Sequence, residues 1–551
     1  MPLMGSLYIG KSGLQTGQNA LNTTAHNMSN ADTVGYVRQQ VLLGTTIYNT
    51  IKVDYNAVSS QQIGLGVEYS KTRQVRDYFL DQTYRRESGR CEFYTVSKDA
   101  LEEIEFLLDE INGETFQDSL DDLWISVQEL TKDPSSSVTQ GLLIERCSEF
   151  LARAQSVYGG LIDYQNNLNN SIKSKVDTIN DHAKQIKILN DRIRNIECGG
   201  FESANDLRDV RNQLVDELAA MGNINYTEDM DGNIIIQFEG EDLVKRDVVY
   251  EIGLSQSPET GFYTPFWKHN AVSHVNDEGE RIYDDITGAE VFDLERVISS
   301  DLNTDVGSLK ATLLARGDHI ATFQDLKEEN YTNSVSQSVV MNIQAEFDQL
   351  FHHVATTINK VLADAADPIT GYLCDEQGKP IQIFQKIASD GYTKEANGEW
   401  KFMDEVPGVS ETYYTISNLQ INQELLQQPT RLGFVKADGS VDFETMEKLK
   451  AAFLAEEITL NPTVKKKSSI LDYYSDLVSQ VANSGSVYNS ILTNQQETVD
   501  ATFSAREQII GVSQDEELNN MIRFQNAYNA SSRYINVIDQ MLEHILSTLG
   551  R

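Results

Sequence analysis

A mainly α fold with β-rich insertions (α+β), elongated and multidomain, is predicted by three features of the sequence. Apolar residues recur at heptad spacing near both extremities. No proline lies between Pro134 and Pro258, and apolar residues keep helical spacing through most of that stretch. Two later segments lose this spacing and carry turn signals with alternating residues instead. The pattern implies terminal helices paired as a coiled coil, a rod of long helices, and outer, mostly β domains.

Within the first 40 residues, Leu7, Leu14, Leu21 and Met28 recur every seven positions, with Gly10, Gly17 and Thr24 three positions on. This is a heptad seam whose second row is small, so another helix can approach closely. Twenty of the 40 residues are Asn, Gln, Ser, Thr or Gly, and only Lys11, Asp32 and Arg38 are charged. A face packed against identical neighbours has to avoid like charges, which a solvated face does not. Burying the four large residues gains ~8 kcal/mol, less than the cost of ordering ~28 residues at ~1–2 kcal/mol each. The segment is therefore expected to order only among partners. Val37, Val41 and Leu43 then alternate as an extended stretch.

A helix follows over 93–112, with Leu101, Ile104, Leu108 and Ile111 on one face. Leu120, Leu123, Trp124, Val127 and Leu130 mark another, broken near Asp133-Pro134. From about Gly141 to Glu197 the apolar pattern is nearly continuous, a length of ~85 Å, with a kink expected at Gly159-Gly160 and a stop at Cys198-Gly199-Gly200. Leu207, Val210, Leu214 and Leu218 start the next helix, and Val340 to Val361 hold a further long one. Near the other extremity, Ile470, Tyr474, Leu477, Val481, Ser484, Tyr488 and Ile491 alternate spacings of four and three. Met521, Tyr528, Ile535 and Leu542 recur every seventh residue, with Leu518, Ile538 and Ile545 as a second row. Both extremities read as coiled-coil strands that pair with each other.

The two exceptions to the helical pattern are 221–304 and 366–466. In the first, Asp231-Gly232-Asn233 before Ile234–Phe238 is a hairpin turn entering a strand. The region 221–308 holds 19 Asp and Glu against 5 Lys and Arg, an acidity suited to an outer surface. The second begins with Asp367-Pro368-Ile369-Thr370-Gly371 and holds five of the nine prolines. The expected division is a terminal coiled-coil assembly domain (1–36 with 500–551) and a helical rod (37–220, 305–365 and 467–499). An acidic β-rich insertion (221–304) and a second β-rich or mixed outer insertion (366–466) complete it. If the last is decorative, its deletion leaves assembly intact.

Composition narrows the function. The chain of 551 residues carries 45 Lys and Arg against 83 Asp and Glu, a net charge of −38, which argues against a nucleic-acid or anionic-membrane partner. No apolar run approaches the ~20 residues of a membrane span, and the opening residues lack the charged and apolar regions of a secretory signal. Cys91, Cys147, Cys198 and Cys374 have no C-x-x-C spacing and suit neither a disulfide scaffold nor a zinc module; three of them lie in or beside apolar helical patterns and read as small hydrophobes. The eight histidines form no H-E-x-x-H; Asp229-Met230-Asp231-Gly232 has its glycine two positions early for a calcium loop. Gly64-Leu65-Gly66 lacks the third glycine of a dinucleotide site, and Lys465-Lys466-Lys467 reads as a solvated run. No catalytic, cofactor or metal site is expected.

Two motifs carry a resemblance. His26-Asn27-Met28-Ser29-Asn30-Ala31-Asp32-Thr33-Val34-Gly35-Tyr36-Val37-Arg38-Gln39 resembles the N-terminal signature N-x-x-N-x-x-T-x-G-Y-x-R of bacterial flagellar rod, hook and hook-associated proteins, with Val34 where members often have Pro. Ser513-Gln514-Asp515-Glu516-Glu517 and Arg523–Arg533 resemble the matching C-terminal signature. Read as residues alone, Asn27 and Asn30 sit where a helix must stop and can cap it, Gly35 permits a turn, and Tyr36 anchors the exit. The long internal helices, the run Ala204–Val215 and the residues Gly64–Val67, Arg73, Asp77, Phe79 and Leu80 are similar to the hook–filament junction members of that family. The resemblance implies a non-enzymatic structural adaptor in the extracellular flagellum, a homo-oligomeric ring between the hook protein and the second junction protein. It also implies export without a cleavable signal and an export chaperone on the C-terminal helix around Tyr528–Leu542. The assembly interface is expected at Leu7, Leu14, Leu21, Met28, Asn27, Asn30, Gly35, Tyr36, Leu518, Met521, Phe524, Tyr528, Ile535 and Leu542. Another axial protein of the same family, or an adhesin carrying its module at 366–466, are the alternative readings.

Overall fold

A computed structural model describes residues 2–549 except 47, 55–58, 110–114, 201, 277–280, 328–330, 333, 389–390, 395–399 and 404. Ile111, expected at the end of the second helix, lies outside the described residues. Helix α1 (Pro2–Ser29) leads into strands β1 (Gln39–Thr45), β2 (Asn49–Asp54), β3 (Ser59–Ile63) and β4 (Val67–Gln74), which form antiparallel ribbons β1–β4 and β2–β3. The β1–β4 ribbon, in a stretch expected to belong to the helical rod, packs beside α1.

Helices α2 (Tyr78–Asp109), α3 (Phe116–Lys132), α4 (Ser137–Glu197) and α5 (Asn205–Met221) follow. Helix α2 starts well before residue 93. Before Cys91 its opening turns bury Asp81, Arg85 and Glu87 rather than large apolar side chains, so apolar spacing could not reveal where it starts. A capping box opens α3: Thr115 Oγ1 accepts from the Asp118 N–H at 3.1 Å, and the Asp118 carboxylate accepts from the Thr115 N–H at 3.0 Å. Helix α4 has 61 residues and spans ~90 Å. It stays helical through Gly159-Gly160 and ends at Cys198, which is exposed, whereas Cys91 and Cys147 are buried. On α5 the expected apolar face is displaced: Val210 is exposed, while Asp209, Arg211, Val215 and Leu218 are buried.

Strands β5 (Ile224–Glu228), β6 (Ile234–Phe238), β7 (Glu241–Lys245) and β8 (Val248–Val249) form an antiparallel sheet in sequence order. Two hairpins follow, β9 (Ile252–Gln256) with β10 (Tyr263–Trp267) and β11 (Val272–Val275) with β12 (Arg281–Asp285). Then come α6 (Ser308–Arg316) and α7 (Val339–Ala365). The segment 366–466 is mixed. It pairs β13 (Phe384–Lys386) with β16 (Leu419–Ile421) and β14 (Tyr392–Lys394) with β15 (Trp400–Phe402), and adds α8 (Gln423–Gln427) and α9 (Phe443–Leu454). The chain returns through α10 (Ile470–Ile510) and α11 (Gln514–Leu549).

Helix α4 threads two hydrophobic cores. Its first half meets α3, α7 and the start of α10, where Phe150 stacks on Phe351 at 5.2 Å and Phe116 touches Phe347 (4.8 Å) and Tyr474 (4.7 Å). Such aromatic pairs add about 1 kcal/mol each beyond burial. Ile383, Phe384, Leu419, Phe434, Met446, Leu449 and Phe453 complete the same core. The segment 366–466 therefore cannot be lifted out as a decorative insertion, because its apolar residues close the rod's own interior.

The second half of α4 meets α5, α6 and the β sheet through Ile172, Val176, Ile179, Ile186, Ile236, Phe238 and Trp267. Three asparagines of α4 dock this sheet and the β9–β10 hairpin onto the helix. Asn180 exchanges two hydrogen bonds with the Ile252 backbone, both 2.9 Å. Asn190 binds both sides of Ile234 (2.9 and 3.1 Å), and Asn169 accepts from the Tyr263 N–H at 2.8 Å. Intervals of 11 and 10 residues are close to three helical turns, so the three amides share one face.

Candidate assembly interface

Helices α1 and α11 lie antiparallel, and the small residues of α1 form the closest line of contact. A Cβ built on Gly10 would stand 2.6 Å from Ile535, on Gly13 2.5 Å from the Ser531 hydroxyl, and on Gly17 3.3 Å from the Tyr528 backbone. Buried Ala20, Thr24 and Asn27 continue the line. The Thr24 hydroxyl donates to the Ala20 carbonyl of its own helix at 3.0 Å, which satisfies it inside the seam. Leu7, Leu14, Leu21 and Met28 are half-buried, flanking this line rather than occupying its centre. Met521, Phe524, Tyr528, Ile535 and Leu542 are likewise half-buried on α11.

Leu518 departs from its expected place in the second row. It is 45% exposed, while Ile538 of the same row is buried. Here α11 leaves the rod beside Glu517, which faces Asn27, so Leu518 turns outward. Ile522, Tyr534, Val537, Met541, Ile545 and Leu546 are also exposed along α11. Both terminal helices are formed within the single chain and pair with each other as the heptads predict, so the α1 seam already has a partner in α11 before any second molecule meets it. The domain boundary expected at residue 500 falls inside α10, which runs unbroken to Ile510 and packs along α2. The break falls at 511–513.

A polar joint ties this helix pair to the rod. Asn27 does not cap α1. Its Nδ2 donates to the Gln39 carbonyl (2.9 Å) and to Glu517 Oε2 (3.2 Å), while its Oδ1 accepts from the Tyr36 hydroxyl (2.8 Å) and the Gln39 N–H (3.0 Å). Asn30 does the capping, donating to the His26 carbonyl at 3.0 Å. Gly35, at φ +79°, makes the turn that brings Tyr36 back onto the helix. Burial, and then the nearby Asp206, Asp209 and Glu517, raise the Tyr36 pKa well above its ordinary value, which keeps the hydroxyl a donor.

Arg38 pairs with Glu517 (3.0 Å) and Glu516 (2.9 Å), and its N–H donates to the Ile510 carbonyl at 2.8 Å. Asp209 of α5 accepts from the Val37 N–H (3.2 Å) and Gln74 Nε2 (2.6 Å). Burial pushes its carboxyl up to about 7 against the opposing pull of the Val37 N–H. Beneath lies a second network: Arg506 of α10 bridges Asp81 (2.7 Å) and Asp216 (2.8 Å), and Arg85 also holds Asp216 (2.6 Å). Arg506 lay outside every quoted motif, and Asp209 lay inside the run Ala204–Val215 without an assigned role. Arg38, Glu516 and Glu517 lay inside the quoted signatures but had no assigned role.

Among the described residues, no helix is long and apolar enough to cross a membrane, and no three His, Cys, Asp or Glu side chains gather as metal ligands would. What the site offers is contact: a close-packed helix pair with an apolar outer row on α11, anchored by buried hydrogen bonds.

Comparison with known proteins gives the setting. Residues 101–372 match the family described as flagellar hook-associated protein FlgK helical domain. Residues 7–36 match flagella basal body rod protein, and 509–548 match flagellar basal body rod FlgEFG protein C-terminal. The chain is 25% identical over 542 residues to flagellar hook-associated protein 1 of Bacillus subtilis, covering 98% of this chain and 96% of that one. It is 23% identical over 567 residues to the protein of the same name from Salmonella typhimurium (97% and 98% covered) and 22% identical over 557 residues to that of Escherichia coli (97% and 98%). Its fold is similar to that of the flagellar hook junction protein FlgK from Burkholderia pseudomallei, with a TM-score of 0.52 at 10% identity, covering 79% of this chain and all of that one.

Proposed function

Because the chain belongs to the flagellar rod, hook and hook-associated family, we propose that it is the adaptor joining hook to filament, assembled as a ring of copies through its helical termini. The hook protein and the second junction protein are its axial neighbours. An export chaperone covers α11 around Tyr528–Leu542 until delivery. The chain leaves the cell through the flagellar export apparatus.

One observation carries this reading: charge is partitioned along the molecule. Residues 1–76 and 511–551 together hold nine Lys and Arg against eight Asp and Glu, a net of +1, which leaves −39 on residues 77–510. Copies that repel through their outer parts can still meet through the terminal unit. There, Leu518, Ile522, Val537, Met541, Ile545 and Leu546 lie exposed. Covering six such residues gains on the order of 10 kcal/mol before the costs of association, enough for a stable contact repeated around a ring. The tight face of α1 is already used inside the chain, so the contact between copies falls to the outer row of α11.

Immunolabelling of purified flagella tests the placement, and one narrow band between hook and filament is expected. Deleting 1–36 or 510–551 abolishes that band while the rod keeps its cooperative unfolding. Label along the whole filament, or a band that survives either deletion, overturns the reading.

A further inference from the structure

The two longest runs without Asp, Glu, Lys or Arg in the chain are Ser12–Ala31 and Leu477–Gln496, 20 residues each. The first belongs to α1. The second lies in α10, inside the part of the molecule that carries −39, and at ~1.5 Å per residue it covers ~30 Å of helix. Its inner face is used: Leu477 and Val481 are buried, Gln480 donates to Glu346 (2.9 Å), and Gln495 donates to Glu87 (2.8 Å). Its outer face, Ser479, Asn483, Ser486, Val487, Ser490 and Asn494, is exposed. Val487 is 57% exposed, and Ile491 is exposed beside it. The Ser490 hydroxyl donates to the Ser486 carbonyl at 2.9 Å, and Thr493 to Asn489 at 2.9 Å, so these groups are satisfied by their own helix and make little demand on water.

A solvated helix face in so acidic a rod has no reason to lack charge over this length, whereas a face meeting another equally acidic molecule has to lack it. The helix also continues into the terminal pair, with only residues 511–513 between α10 and α11. Copies held side by side through α11 therefore bring their α10 helices alongside. We propose that the outer face of α10 around Asn483–Asn494 is a second contact, taken by the rod of a second copy of this chain. The proposal rests on the ring assembly above and adds a contact outside the terminal unit.

Photo-crosslinking in assembled flagella tests it. The full chain, carrying benzoylphenylalanine at Ser490, replaces the endogenous copy in a motile host; parallel chains carry it at Ile522 on α11 and at exposed Lys448 on α9. A crosslinked dimer of this chain from position 490, with none from 448, is the expected result. Adding Ser486→Glu and Asn483→Glu lowers the 490 dimer about tenfold, since the new carboxylates then face the acidic rod of the neighbouring copy. A 490 product with a different protein overturns the choice of occupant. Absence of any 490 product while position 522 still yields dimers overturns the α10 contact alone. Loss of dimers at both positions, with the protein present in the flagella, overturns the ring reading and this contact with it.

Discussion

Removing the Asn27 side chain tests the joint between the terminal helices and the rod. Asn27→Ala deletes four hydrogen bonds, three to neutral groups and one to the Glu517 carboxylate. At about 1 kcal/mol for each neutral bond and about 2 for the charged one, the joint loses about 3–5 kcal/mol, allowing for water entering the gap. At 1.4 kcal/mol per decade, local opening becomes about a hundred to a few thousand times more frequent. Hydrogen exchange followed by mass spectrometry reads this directly in a peptide covering 36–40, where the Gln39 amide donates to Asn27. Asn27→Asp separates the contributions. It keeps the two acceptor positions, loses both donors, and sets a carboxylate where Nδ2 stood 3.2 Å from Glu517 Oε2. Compared at one pH, exchange is expected to be faster in this variant than in Asn27→Ala, because two carboxylates then face each other. Ser29→Ala is the control, since that exposed hydroxyl donates only to Ala25 of its own helix. If exchange in 36–40 stays within about threefold of the parent in Asn27→Ala, Asn27 is not the tie described here.

Gly17→Leu forces α1 and α11 apart, because even a Cβ there meets the Tyr528 backbone at 3.3 Å. Exchange protection in 521–538 is expected to fall at least about tenfold, while Gly5→Ala, with open space around it, leaves protection intact. Glu346 is buried among Asn342, Asn461 and Gln480, and burial pushes its carboxyl up to about 7. A raised acid costs stability as pH rises from its unfolded value near 4.5 to about 7, in full about 3 kcal/mol. Glu346→Gln is therefore expected to melt higher than the parent at pH 8 and level with it at pH 4 in thermal scans; equal melting at both pH values contradicts the burial argument. Deleting 366–466 is expected to abolish cooperative unfolding by circular dichroism, because Phe384, Phe434 and Phe453 fill the rod core.

Where one helix face is continuously apolar, the sequence was legible. Helix α4 was placed at about 141–197 against an observed 137–197, and the Asp231-Gly232 turn opens β6 as expected. Legibility fails where burial is polar. The start of α2 escaped because Asp81 and Arg85 are buried as partners of Arg76, Arg506 and Asp216, and ion pairs leave no apolar period. Asn169, Asn180 and Asn190 could have been noticed as amides repeating every three turns on an apolar face, but only the structure supplies the strands they hold. In 366–466 the core residues arrive in short groups such as Ile381, Ile383 and Phe384, too brief for either period to emerge. At the candidate interface the heptad leucines drew attention first, whereas Gly10, Gly13 and Gly17 set the separation of the two helices.

The antiparallel union of α1 with α11 joins residues some 490 to 525 positions apart, so the earliest-made helix finds its mate only when the last-made one arrives. The α2–α10 pairing nests inside it, separated by almost as much chain. Under the proposed export, with α1 leaving first, the docking shape is withheld until nearly everything between the two helices has emerged, and products cut short before α11 never display it.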